Sequence, residues 1–258
     1  MKPSKLAVLL YGSLTYLLFL ATYVYCAGFV LDLGVPKSID TVTGEPASLL
    51  VALGVNASIL ALFAVQHLIM ARAWFKRRLT RVVPPAAERS TFVLATCLIL
   101  ILLFWQWRPM PGIVWDAGNP VLRGLLLCVG AAGFVGVVFT TFLINHFDLF
   151  GLQQVVLHFR GRPEPEPSFQ VRSLYRFTRH PLYLCFFAAF WSTPTMTVGH
   201  LLFAALCTGF VLIAVRFEER DLVAQHGEAY LRYQTEVPMI LPSIGRAAAP
   251  TGSRTARV

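Results

Sequence analysis

The sequence predicts an all-α integral membrane protein: about six transmembrane helices, the last two a short hairpin, and then a cytoplasmic C-terminal helix. Three observations predict it. Of the 258 residues, 56% are hydrophobic and only 14% charged, against about 25% charged in soluble domains. Apolar runs recur at about the 20-residue length that crosses a bilayer core. The basic residues fall between those runs, almost all on one side.

The first span, 6–30, follows Lys2 and Lys5. It is longer than the apolar region of a secretory signal and lacks a small-x-small cleavage site, so it reads as a retained helix. Further spans follow at 47–71, 90–107 and 121–145. A fifth and a sixth, near 181–194 and 199–216, are separated by Thr193-Pro194-Thr195 and Gly199. Pro181 suits a first helical turn. The fifth span is short enough to reach only partway across, and the backbone groups a short helix exposes must line a cavity or another helix. Residues 217–233 read as a cytoplasmic helix. Glu218, Glu219 and Asp221 suit its N-terminus, and Leu222, Val223, Tyr230, Leu231 and Tyr233 give it an apolar side. The run Pro163-Glu164-Pro165-Glu166-Pro167 reads as a stiff connector. The tail 246–258 reads as disordered.

Of the 22 Lys and Arg residues, all but Lys37, Arg108 and Arg123 fall on one side of this arrangement. The positive-inside rule puts that side in the cytoplasm, with both termini. The same distribution accounts for the net charge of +9, so no nucleic-acid partner is implied, and no obligatory protein partner is evident. Cys26, Cys97, Cys128, Cys185 and Cys207 all lie in apolar runs with no CxxC pair. They read as small buried hydrophobes, with no disulfide and no metal site. Gly130, Gly133 and Gly136 recur at every third position, as close helix packing requires. No glycine-rich nucleotide loop follows a strand.

Polar residues gather at three cytoplasmic span ends. The first is Asn145-His146-Phe147-Asp148-Leu149-Phe150-Gly151-Leu152-Gln153-Gln154, followed by His158. The second is Tyr175-Arg176-Phe177-Thr178-Arg179-His180-Pro181-Leu182-Tyr183, and the third is Arg216-Phe217-Glu218-Glu219-Arg220. Arginines at span ends often snorkel to head groups, and an acidic pair can simply cap a helix. Three clusters of His, carboxylate, Arg and Tyr on one membrane face go beyond that, because ionisable groups there are costly. A charged cofactor could reach them from water.

The stretch Arg179-His180-Pro181-Leu182-Tyr183, a helical hairpin, Glu218-Glu219, Gly227-Glu228-Ala229-Tyr230-Leu231-Arg232-Tyr233, Val237-Pro238 and Leu241-Pro242 resembles the C-terminal signature of the isoprenylcysteine carboxyl methyltransferase superfamily. The run Asn145–Leu152 resembles a narrower branch, the membrane-bound methanethiol S-methyltransferases. The resemblance implies one polytopic methyltransferase domain over 1–245, in a bacterial inner membrane. It implies S-adenosylmethionine as methyl donor, held by about 145–240. Arg179, His180, Pro181 and Tyr183 would contact this cofactor, with Tyr175 beside them, and Glu219, with Glu218 adjacent, would hold one of its polar groups. Gln154 and His158 would add contacts. Arg216 falls near an arginine that the carboxyl branch uses for its substrate.

A thiol reacts as its thiolate and has an unperturbed pKa of about 8.5 or higher, so the site needs a base. His146 as proton acceptor and Asp148 as its orienting carboxylate are the candidates. Their i, i+2 spacing demands an unwound turn at the end of the span. The expected substrate is a small volatile thiol that partitions into lipid, methanethiol, giving dimethyl sulfide. Two alternatives stay open: methylation of a prenylated cysteine carboxylate, and a non-enzymatic role as a transporter or a membrane component of nitrogen-oxide metabolism.

Overall fold

The computed structural model describes residues 3–45, 47–165, 171 and 173–242. Among the described residues, five helices are long and apolar enough to cross a membrane. The first is α1 (Lys5–Leu31), which Ser4 caps by accepting from the Ala7 amide at 3.1 Å. Next come α2 (Leu49–Met70), a short basic α3 (Ala73–Leu79), and α4 (Glu88–Gln106). Asn119 opens α5 (Pro120–Ile144) by accepting from the amides of Val121 and Leu122, with Pro120 in the first turn. Two short helices follow, α6 (His146–Leu149) and α7 (Leu152–Arg160). Then come α8 (Pro181–Trp191), α9 (Val198–His226) and α10 (Glu228–Glu236). The protein is an integral membrane protein.

The fifth apolar segment is as short as its sequence suggests. With 11 residues, α8 rises only about 16 Å, about half the hydrocarbon thickness. The chain goes on from Ser192 in extended form, and β2 (Thr195–Thr197) pairs antiparallel with β1 (Ile113–Asp116). This ladder was not anticipated in the all-α reading. It satisfies backbone groups that the short helix would otherwise leave bare.

The C-terminal helix also differs from expectation. No break falls at residue 217, because α9 runs on unbroken to His226 and turns only at Gly227, whose φ is +54°. Glu218 and Glu219 therefore sit inside a helix and cannot be its N-terminal cap. Of the 163–167 connector, only 163–165 fall among the described residues, and they have no regular structure. The tail 246–258 lies outside them.

Polar contacts tie together the end of the molecule that carries β1 and β2. Trp107 is buried and donates to the Ile39 carbonyl at 2.9 Å. Asn56, buried within α2, both donates to the Arg108 carbonyl and accepts from its amide. Thr197 bonds to Asp40 and caps α9 at the His200 amide. The largest apolar core, including Phe29, Leu103, Trp107, Phe134, Phe190 and Phe203, lies beneath. The opposite end holds two smaller cores. One lies where Val155 of α7 packs on Val8 of α1; the other lies where Tyr230 and Tyr233 of α10 meet Val171 and Val237.

Helices α5 and α8 pack antiparallel and very closely. A Cβ built on Gly133 would stand 2.6 Å from the Ala189 nitrogen and 2.7 Å from the Cys185 oxygen, both backbone atoms. Gly133→Leu should therefore cost about 1–3 kcal/mol through overpacking. A melt in detergent followed by size-exclusion chromatography would read this, and an unchanged melting temperature would contradict the packing described.

Candidate active site

The Arg179–Tyr183 motif forms the turn into α8, and a C-terminal strap holds it. The Arg179 and His180 amides donate to the carbonyls of Pro238 and Met239, at 2.9 and 3.1 Å. The Thr178 hydroxyl reaches the Met239 and Ile240 carbonyls. The guanidinium of Arg179 bridges three partners: Nε donates to Glu219 Oε1 at 2.7 Å, and Nη1 to the carbonyls of Gln234 and Val237 at 2.8 and 2.6 Å. His180 Nε2 lies 3.1 Å from the same Glu219 oxygen. Gln234 donates to Glu219 Oε2 at 3.1 Å.

A single residue step around α9 sets the division of labour between the two glutamates. The side chain of Glu219 is 12% exposed and both its oxygens are bonded. It lies beyond the apolar part of α9. Burial would raise its pKa, but the hydrogen bonds and charges of Arg179 and His180 outweigh burial and hold it below the usual 4.5. Its stabilising contribution is therefore complete above the ordinary value. It is lost only as acid carries the pH down through the lower, folded one. Glu218 is half-exposed and accepts from the Tyr183 hydroxyl at 2.8 Å through Oε2. Beside this cluster opens a cleft of about 400 Å³ lined by Arg216, Glu219, Arg220, Val223 and Gln234. Tyr175 accepts from the Tyr233 hydroxyl through its carbonyl, and burial raises the pKa of its own phenol. Pro181 is buried in the first turn of α8. The structure thus brings Tyr175, Arg179, His180, Pro181, Tyr183, Glu218 and Glu219 together.

The first polar cluster is arranged differently. The unwound turn is present: Asn145 is extended between α5 and α6 and caps the Asp148 amide. The His146–Asp148 pair is not. Asp148 instead accepts from Gln154 at 2.9 Å. Both ring nitrogens of His146 are taken elsewhere, Nε2 by the Tyr16 hydroxyl at 2.8 Å and Nδ1 by Thr141 Oγ1 at 2.7 Å. The ring is 4% exposed and stacks on Phe142 at a centroid distance of 4.2 Å. Burial lowers its pKa, which leaves it neutral at pH 7. Tyr16, Thr141 and Gln234 were not among the sequence candidates. The first two stand in apolar runs that give no sign of a site.

Gln154 leans on Asp148, and its Oε1 is buried without a hydrogen-bond partner. His158 stands in the last turn of α7. Among the described residues, no hydrogen bond joins either to the Arg179–Glu219 cluster.

A family model described as a protein of unknown function (DUF1295) matches residues 124–237. A methanethiol S-methyltransferase of Mycobacterium tuberculosis is 50% identical over 91% of this chain and 95% of its own length. Methanethiol S-methyltransferase 1 of Bradyrhizobium diazoefficiens is 48% identical over 92% of this chain and 83% of its own. Nurim of Xenopus laevis is 29% identical over 78% of this chain and 70% of its own. No solved structure matches. Identity at this level over almost the whole of both chains settles the family: the chain belongs to the methanethiol S-methyltransferases.

Proposed function

We infer that the protein transfers a methyl group from S-adenosylmethionine to methanethiol, releasing dimethyl sulfide. One observation carries this reading. In a chain so similar to proteins named for that reaction, the motif at 179–183 is hydrogen-bonded to the acidic pair at 218–219, and Glu219 of that pair lines a cleft beside it.

The residues present fit an amino-acid cofactor. Its methionine portion carries an ammonium and a carboxylate. Glu218 is half-exposed and keeps one oxygen clear of the Tyr183 bond for the ammonium. The bonded Arg179–His180–Glu219 core shapes the floor and leaves Glu218 to bind. The unpartnered Gln154 Oε1 offers a further acceptor. When bound, the cofactor supplies a methyl group activated by a sulfonium. The protein's part is to align the thiol for in-line attack, to keep water out, and to take the thiol proton at the His146 end of the site.

The polar residues at both sites would face the cytoplasm, with the N- and C-termini, across six passes. In that count α8 and the extended residues after it form the fifth crossing. Reporter fusions at Arg81 and Gly252 should then both read cytoplasmic, and a periplasmic signal at either would reject the topology. For the function itself, calorimetric titration with S-adenosylhomocysteine should show one site per chain. Absence of binding to folded protein would remove the cofactor from the account.

A further inference from the structure

The geometry points to Tyr16 as the catalytic residue that receives the thiol proton, passing its own phenolic proton to His146. This rests on the thiol methylation proposed above.

The buried position of His146 is the starting point. Its ring is 4% exposed, Phe142 lies flat against it at a 3° interplanar angle, and Phe150 approaches it to 4.9 Å. A thiol has no free nitrogen to reach. The hydrogen bonds also fix which nitrogen carries the proton. The Thr141 hydroxyl donates to the Val138 carbonyl at 2.6 Å, so toward His146 its oxygen accepts, and Nδ1 bears the hydrogen. The Nε2 lone pair is then free to accept, and the Tyr16 hydroxyl points at it from 2.8 Å. Val138 carbonyl, Thr141, His146 and Tyr16 form one directed chain that ends on a phenol. Tyr16 is only half-buried.

The surroundings of that phenol suit a small apolar thiol. Phe19 and Phe147 each lie 6.1 Å from the Tyr16 ring, and Phe150 stacks on Phe19 at 3.8 Å. Sulfur packs favourably at aromatic edges. Phe142 and Phe147 are themselves about half exposed on the outer surface, where a lipid-soluble substrate would collect.

The step balances as follows. The S–H bond breaks and its proton bonds to the phenolic oxygen, while the phenolic proton moves to His146 Nε2. The thiolate sulfur forms its new bond to the methyl group as the methyl–sulfonium bond breaks. The imidazolium later returns the proton to water through the half-buried Tyr16 hydroxyl bonded to its Nε2.

The test compares methanethiol with methaneselenol, which is ionised at neutral pH and needs no base. With methanethiol, Tyr16→Phe should lose about 100- to 10,000-fold in turnover, the usual contribution of a general base. With the selenol it should turn over within about twofold of the unsubstituted protein, and its S-adenosylhomocysteine affinity should be unchanged, which also shows that it folds. His146→Gln should behave the same way and stands in if Tyr16→Phe fails to fold. Equal losses with both substrates, or no loss with methanethiol, would overturn the relay. An unsubstituted protein that methylates neither substrate would instead sink the thiol methyltransferase reading, and the relay with it.

Discussion

Replacing Arg179 with Ala should weaken S-adenosylhomocysteine binding by at least 10- to 100-fold and lower the melting temperature as well. The guanidinium is 10% exposed and holds three acceptors at once: Glu219 and the carbonyls of Gln234 and Val237. Removing it leaves Glu219 as a buried carboxylate facing only His180 and Gln234. Breaking a buried pair from one side costs about 3–5 kcal/mol. Each 1.4 kcal/mol of this that falls on binding is about tenfold in affinity. The remainder appears as loosening of the 234–240 strap. Arg179→Lys separates the two contributions. It keeps the charge but cannot reproduce the fork that reaches three acceptors, so its affinity should fall between the two. Unchanged affinity in Arg179→Ala would detach the cofactor from this cluster.

His146→Ala should have the largest effect on turnover, a loss of about 100- to 10,000-fold with cofactor affinity nearly intact. The deficit should shrink as pH rises, because the thiol then ionises unaided. Asp148→Asn should do far less, because the Asp148 carboxylate bonds to Gln154, which can also be served by an amide oxygen. If Asp148→Asn matched His146→Ala, the pairing first suggested by their nearness in sequence would be restored, against the geometry found here.

The spans were legible because hydropathy depends on composition, and the bilayer sets the length. Pro181 marked a helix start because a first helical turn has no use for the backbone donor that proline lacks. Two local features were misread. The run Ile113-Val114-Trp115 has the β-branched and aromatic residues of a strand, but its partner Thr195–Thr197 lies about 80 residues away and was hidden in what looked like a hairpin linker. The acidic pair at 218–219 looked like a helix start because acidic residues favour that end. No glycine or proline breaks the chain before Gly227, and α9 simply continues.

The site divided in the same way. Arg179, His180, Tyr183, Glu218 and Glu219 could be named because a motif linked them before any geometry was known. Tyr16 and Thr141 could not, since each is an ordinary hydroxyl on an apolar helix until the fold brings it to His146. Asp148 drew attention by adjacency alone. Cys26, Cys97, Cys128, Cys185 and Cys207 are unpaired thiols.

The most direct measurement uses purified protein in detergent or lipid, S-adenosylmethionine with a deuterated methyl group, and methanethiol. The account predicts dimethyl sulfide in the headspace carrying one deuterated and one ordinary methyl, and no methylation of a farnesylcysteine analogue offered in its place. A labelled ester on the farnesylcysteine, with no labelled dimethyl sulfide, would contradict the account and assign the protein to carboxyl methylation.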